Sequence, residues 1–168
     1  MSSLKYILVF LLSLAIIGCS STEEGPEIAA DTGEQQIYEQ AQRYMRQSNW
    51  DLAIRSLQAL ESRYPFGQYA EQAQLEIIYA HYNGYEREAA VEAADRFIRL
   101  HPAHPMVEYE YYMKGLAAYG ASEDIMSRFL PTDEAERDMS QAREAFGEFA
   151  QLVSRFQDSP YAPDAKAR

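Results

Sequence analysis

Residues 63–73 read RYPFGQYAEQA, and residues 155–165 read RFQDSPYAPDA. Each stretch has an arginine, then an aromatic residue, then Tyr-Ala five positions after that aromatic. Each belongs with a stripe of apolar residues at helical spacing. For the first, the stripe is Trp50, Ala53, Ile54, Leu57, Leu60 and Tyr64; for the second, it is Ala142, Ala145, Phe146, Phe149, Leu152, Val153 and Phe156. Between them, Ala90, Val91, Ala94 and Phe97 lead to His101-Pro102, 37 residues after Tyr64-Pro65. Such spacing places apolar side chains on one face of a helix. Ser48-Asn49-Trp50-Asp51 supplies a capping residue at a helix start. Tyr64-Pro65 ends that helix, because the residue before a proline disfavours the α conformation.

Paired helices recurring with a period in the mid-thirties predict an all-α fold, a tetratricopeptide-repeat solenoid of antiparallel helix pairs. The first repeat fits that template. Ile37, Ala41 and Tyr44 belong to its first helix, Ala53, Leu57 and Leu60 to its second, and Pro65 closes it. Ala41 and Ala53 are small where the two helices cross. The first helix of the second repeat carries two stripes, one of Ala70, Ala73, Ile77 and Ala80, the other of Leu75, Ile78, Tyr79 and Tyr82. A helix apolar on both sides is packed on both sides, which leaves the phase of this repeat open. The third repeat is interrupted. Gly115 to Ala145 spans 30 residues where Ala41 to Ala53 spans 12, and the extra 18 fall at about 120–138. That insert holds Phe129-Leu130-Pro131 among acidic residues, either as a loop on a binding face or as a solvated loop. Ser159-Pro160 reads as the start of a further helix.

The amino-terminal end has another logic. Lys5, the apolar run Tyr6–Ile17 and Gly18 precede Cys19, the only cysteine of the 168 residues. Basic start, short apolar core and small residue are the order of a secretory signal. The run is about a dozen residues long, against the roughly 20 that span a bilayer. A single cysteine cannot close an internal disulfide. The segment resembles a bacterial lipoprotein signal, with Ile16 where leucine is usual and Ser20 after the cysteine. That resemblance implies cleavage before Cys19 and covalent S-diacylglycerol and N-acyl lipid on it. Residues 1–18 are then the signal peptide, and 19–33 the lipidated cysteine and a flexible acidic linker. The repeat domain occupies 34–168.

The net charge of -11 repels phosphate backbones and disfavours nucleic-acid binding. No converging nucleophile, base and orienting group is visible, so no enzyme is expected. His81, His101 and His104 have no acidic or cysteine neighbour at ligand spacing in the sequence, so neither metal nor cofactor is expected.

Solenoids of this kind bind peptides in a groove lined by the first helix of each pair. The template places Gln35, Tyr38, Gln42 and Met45 there from repeat one, and Tyr109, Tyr112, Leu116 and Tyr119 from repeat three. Chaperone-binding repeat arrays hold a peptide carboxylate with lysine and asparagine, where this chain has Tyr38 and Gln42. The expected surface is aromatic and neutral, suited to an extended peptide with aromatic side chains. The same tyrosines would equally serve to pack one repeat on the next.

Taken together, the signal with Cys19, the acidic linker and the stretches RYPFG, RFIRLHPAHP and YYMKGL resemble the BamD family of outer-membrane lipoproteins. The resemblance implies a non-enzymatic scaffold, lipid-anchored in the outer membrane and facing the periplasm. It implies that unfolded β-barrel proteins are received by the amino-terminal repeats. It also implies BamA periplasmic domains, BamC and BamE as partners. The family has five repeats, whereas this sequence stops at Arg168, inside what would be the fourth, which puts the main BamA-docking surface in doubt. The competing expectation is a periplasmic repeat lipoprotein that recruits cell-wall hydrolases or division proteins.

Overall fold

The computed structural model describes residues 28–121 and 139–168. The signal segment, Cys19, most of the linker and residues 122–138 of the insert lie outside the described residues. Among the described residues the fold is all-α: α1 (Glu34–Arg46), α2 (Trp50–Arg63), α3 (Ala70–Asn83), α4 (Arg87–Leu100), α5 (Val107–Ala121), α6 (Met139–Arg155) and α7 (Ala162–Ala167). Each helix packs on the one before it, and α3 also touches α5. α5 runs through Gly120 and Ala121, so the expected insert starts two residues later than 120.

The turns show why the chain repeats. Inside a pair, the backbone turns through a left-handed residue, Ser48 (φ 56°) and then Tyr85 (φ 63°), 37 positions apart. The same bond recurs beside each, Asn49 N–H to Tyr44 O and Glu86 N–H to His81 O. Between pairs, Tyr64, His101 and Phe156 each end a helix by donating their N–H four residues back. In all three turns the residue three further on donates to that residue, as Gly67 to Tyr64, His104 to His101 and Ser159 to Phe156. Asn49 caps α2, its side chain accepting from Leu52 N–H. The last helix begins at Ala162 rather than at Ser159-Pro160, with Pro163 in its first turn. Ser159 Oγ instead accepts from Tyr161 N–H within the turn.

The 37-residue offset settles the phase of repeat two. Ile77 joins Ile37, Ala41, Leu57, Leu60 and Ala73 in one core cluster. Ile78 joins Leu75, Ala94, Phe97 and Met113 in the next. A third cluster holds Val107, Tyr111, Phe149, Leu152 and Ala165. Two members of the third expected stripe, Ala142 and Phe146, are exposed. With Tyr119, Ala150 and Val153 they line an open apolar groove of about 620 Å³ that residues 165–168 border.

α5 and α6 approach closely at Gly115, where an added Cβ would stand 2.5 Å from Phe149 Cε1. Gly147 on α6 has no heavy atom within 4 Å of that position. Gly115→Ala is therefore expected to destabilise the fold by about 1–3 kcal/mol through overpacking. Gly147→Ala should stabilise it by about 0.5–1 kcal/mol, through helix propensity alone. Urea unfolding of the two variants beside the parent checks both signs.

Candidate functional site

Superposing the repeats by their turns aligns Tyr38, Leu75 and Tyr112 in one tier of the first helices. Gln42, Tyr79 and Leu116 form a second tier, and Met45, Tyr82 and Tyr119 a third. The residues expected from repeats one and three occupy these tiers, except Gln35 and Tyr109, which share a register of their own; Gln35 is exposed and bonds within its own helix to Glu39. Leu75, Tyr79 and Tyr82 were missed because the phase of α3 was open; the αL residues Ser48 and Tyr85 carry the offset that fixes it.

The tyrosines of this face bridge neighbouring repeats. Tyr38 stacks on Tyr69 with centroids 4.4 Å apart and 13° between planes. Tyr112 stacks on Tyr161 at 5.0 Å and 18°. These are the same contact in different repeats, since Tyr69 and Tyr161 hold the same place in their turns. Each stacked phenol donates to a carboxylate of the next first helix, Tyr38 to Glu76 Oε1 at 2.7 Å and Tyr112 to Asp164 Oδ2 at 2.6 Å. Glu76 also accepts from Gln42 Nε2 at 2.5 Å and from Gln72 Nε2 at 2.9 Å. Gln42 lies 3.9 Å from Met45 Sδ, and half-buried Met45 packs on the first core cluster. Tyr109 tilts against Tyr161 at 5.6 Å, Leu116 packs between the second and third clusters, and Tyr119 meets Phe149 at 6.5 Å. Tyr79 keeps 39% of its surface exposed, with its ring edge-on to Trp50 at 6.0 Å.

The tyrosines of the face are held neutral. Burial, then the bond to Glu76, pushes the Tyr38 phenol well above its ordinary range. Burial, then the neighbouring Glu110 and Tyr79, pushes Tyr109 up to about 12. Burial and the bond to Asp164 raise Tyr112. The bonds from Arg168 and Tyr112 hold the Asp164 carboxyl below its usual value. The rings are therefore protonated donors throughout the physiological range. They offer apolar area with a polar tip, which suits aromatic and peptide groups.

The histidines have partners that the sequence does not show locally. Glu71, 30 residues before His101, comes within 3.6 Å of His101 Nδ1 and 3.7 Å of His104 Nε2. His104 Nδ1 accepts from Met106 N–H at 3.0 Å. That bond puts the proton of neutral His104 on Nε2, so no lone pair faces Glu71. His81 Nδ1 lies 2.6 Å from Glu86 Oε2. No cluster of three such side chains among the described residues could hold a metal ion.

Two charged residues beneath the face escaped sequence reasoning. Glu110 and Lys114 stand where repeat two has Ala73 and Ile77, both core positions. Both are buried. Lys114 Nζ pairs with Asp95 of α4 at 2.7 Å and Glu148 of α6 at 2.8 Å. Burial lowers its pKa, but those hydrogen bonds outweigh burial and the net shift is upward. Neither carboxyl oxygen of Glu110 has a partner, and burial pushes its pKa up to about 8. The offset of 37 would have exposed both, as charges written at core positions.

A family described as "Tetratricopeptide repeat" matches residues 25–168. The chain is similar to "Outer membrane protein assembly factor BamD" of Neisseria meningitidis serogroup B, at 36% identity over 167 residues. That alignment covers 98% of this chain and 62% of the relative. The Vibrio cholerae protein of the same name is 38% identical over 159 residues, covering 94% of this chain and 65% of the relative. The Haemophilus influenzae one is 31% identical over 168 residues, covering 100% and 63%. The chain spans just under two thirds of the length of these curated relatives.

Glu110 binds its proton more tightly in the folded chain, with pKa about 8, than at its ordinary value of 4.5. Its contribution to stability is therefore fully present below about pH 4.5 and is lost as pH rises through about 8. Glu110→Gln should remove that slope and stabilise the protein by about 1–3 kcal/mol at pH 8.5, with little change at pH 5. Urea midpoints at the two pH values test this, and equal shifts at both would show that Glu110 does not titrate in the fold.

Proposed function

The chain belongs to the tetratricopeptide repeat family, and from that premise we propose that it is a lipid-anchored scaffold of outer-membrane β-barrel assembly. Its similarity to BamD proteins along nearly its whole length carries this reading. In it, Cys19 bears the diacylglycerol and acyl chains, and the repeats face the periplasm. No helix among the described residues is long and apolar enough to cross a membrane. The protein does no covalent chemistry. The tiers from Tyr38 to Tyr119 receive extended, aromatic-rich segments of unfolded barrel proteins. The partners of the assembly are BamA through its periplasmic domains, BamC and BamE.

The physical support for a receiving face is its preorganisation. The rings are fixed in place by stacking and by carboxylate bonds before any ligand arrives. A ligand then pays little to order them. Tyr79 is the tier residue that an incoming side chain meets most directly.

Two measurements test the reading. Mild detergent extraction through a carboxy-terminal tag should recover a large β-barrel protein with periplasmic repeat domains; recovery of hydrolases or division proteins instead would favour a recruiting adaptor. Separately, Tyr79→Ala should weaken binding of an aromatic-rich barrel peptide about tenfold, the loss of ~1.4 kcal/mol. Tyr112→Phe, which keeps the ring and drops only the bond to Asp164, should bind like the parent. Unchanged affinity in folded Tyr79→Ala would overturn the assignment of this face.

A further inference from the structure

Phe66 is fully exposed, the most exposed large apolar residue described. It sits at the tip of the turn between α2 and α3, and the other two turns of the same type provide an internal control. They close with the same backbone bonds, and at the place of Phe66 they carry Ala103 and Asp158. The turn therefore does not need an aromatic side chain for its own geometry, and Phe66 packs on nothing in the fold. Single exposed apolar residues are ordinary on protein surfaces. This one differs in its rigidity and its place.

The turn is fastened on both sides. Arg63 donates through its two terminal nitrogens to Ala29 O and Ile28 O, each at 2.8 Å. Tyr64 Oη donates to Thr32 O at 3.0 Å. Glu34 accepts from Tyr69 N–H at 2.7 Å, and its carboxyl fills the space where a Cβ on Gly67 would stand. These bonds attach the tip to residues 28–34, the end of the segment that leads back to Cys19. Ile28 lies nine positions after Cys19, a reach of at most ~32 Å. In the next turn the tip is Ala103, with Leu100 and Met106 exposed at the places of Arg63 and Tyr69. In the third turn the tip is Asp158. The large apolar tip is the one nearest the leash.

We infer that Phe66 is a membrane-interface contact: its ring enters the interfacial layer of the bilayer that holds Cys19, and so fixes how the repeat array stands on that surface. The inference rests on the lipid anchor of the proposed function. The tether keeps the tip at high effective concentration near the bilayer, so one aromatic ring is enough to bias orientation. Aromatic and leucine side chains are the ones that bury at this depth. The sequence on either side is acidic, with Glu71 after the turn, Asp31 and Glu34 in the segment to which it is bonded, and Glu23, Glu24 and Glu27 on the leash, and does not attract anionic head groups. The surface it fits is therefore a zwitterionic one. A pocket on another protein is the alternative occupant, and nothing about residues 28–34 would favour it.

The test uses full-length lipidated protein purified from membranes and reconstituted in phosphatidylethanolamine-rich vesicles, with and without brominated acyl chains. Phe66→Trp supplies the reporter, Asp158→Trp is the control at the matching tip, and the parent gives the background of Trp50. The expected result is a blue shift and loss of emission in brominated vesicles for Phe66→Trp only. If mass spectrometry finds acyl chains on Cys19 and the protein is on vesicles, yet the reporter at 66 emits as in water, the contact is overturned and the anchor stands. If Cys19 carries no lipid, the anchor reading fails and the contact with it. A shift that requires added membrane protein would assign Phe66 to a protein pocket and overturn the membrane contact.

Discussion

The structure depends on the need of each first helix to bury two opposite sides at once. α3 shows this at two adjacent residues. Ile77 enters the core shared with α1 and α2, and Ile78 enters the core shared with α4 and α5. One helix pair cannot bury its apolar surface alone, so stability is built from the interfaces between neighbours. The shared turn geometry keeps those interfaces in register, because an unchanged turn returns the next helix at the same angle. At Gly115 a first helix carries no side chain, and there α6 leans its Phe149 onto the helix backbone.

The same constraint explains the charges within the core. Once the turns fix which positions of α5 face inward, whatever residue stands there is buried. At Lys114 the fold supplies two carboxylates, from the helices on either side. A buried ion pair of this kind is weak evidence for stability, because desolvation opposes the attraction. It does tie α4, α5 and α6 to one relative position. Glu110, one turn earlier, receives no partner and keeps its proton instead.

Much of the fold was legible in the sequence because helical periodicity and turn residues are local signals. The pairs, the crossing alanines Ala41 and Ala53 and the stops at Tyr64 and His101 all follow from a few neighbouring residues. What stayed hidden depends on contacts made across repeats. The phase of α3 was ambiguous because both of its faces are apolar; the positive φ of Ser48 and Tyr85 repeats the 37-residue spacing of the stops at Tyr64 and His101 and so fixes it. The exposure of Phe146 was not legible either, since a stripe at helical spacing does not say which of its members a neighbouring helix covers. Glu71 approaches His101 and His104 through tertiary structure, from a position no spacing rule would search. At the face itself the positions from repeats one and three were readable from the template. Their stacking on Tyr69 and Tyr161 required the next repeat to be in place.

That stacking bears on how such a face could work. A tyrosine that both fastens repeats together and borders a groove cannot change one role without the other. Tyr112 holds α5 to α7 through Tyr161 and Asp164, so a ligand that displaced its ring would loosen that junction. Tyr38 does the same between α1 and α3 through Tyr69 and Glu76. Glu76 already accepts three hydrogen bonds, so its lone pairs are largely committed to the scaffold. The half-exposed ring of Tyr79, between those two junctions, takes part in neither and meets the preceding repeat edge-on at Trp50. On the proposed function, recognition that leaves the array intact would be concentrated at the middle repeat, with the outer tyrosines acting as walls. The curvature of a solenoid is set by the interfaces between its repeats. The aromatic junctions that make the face thus also determine the shape it presents.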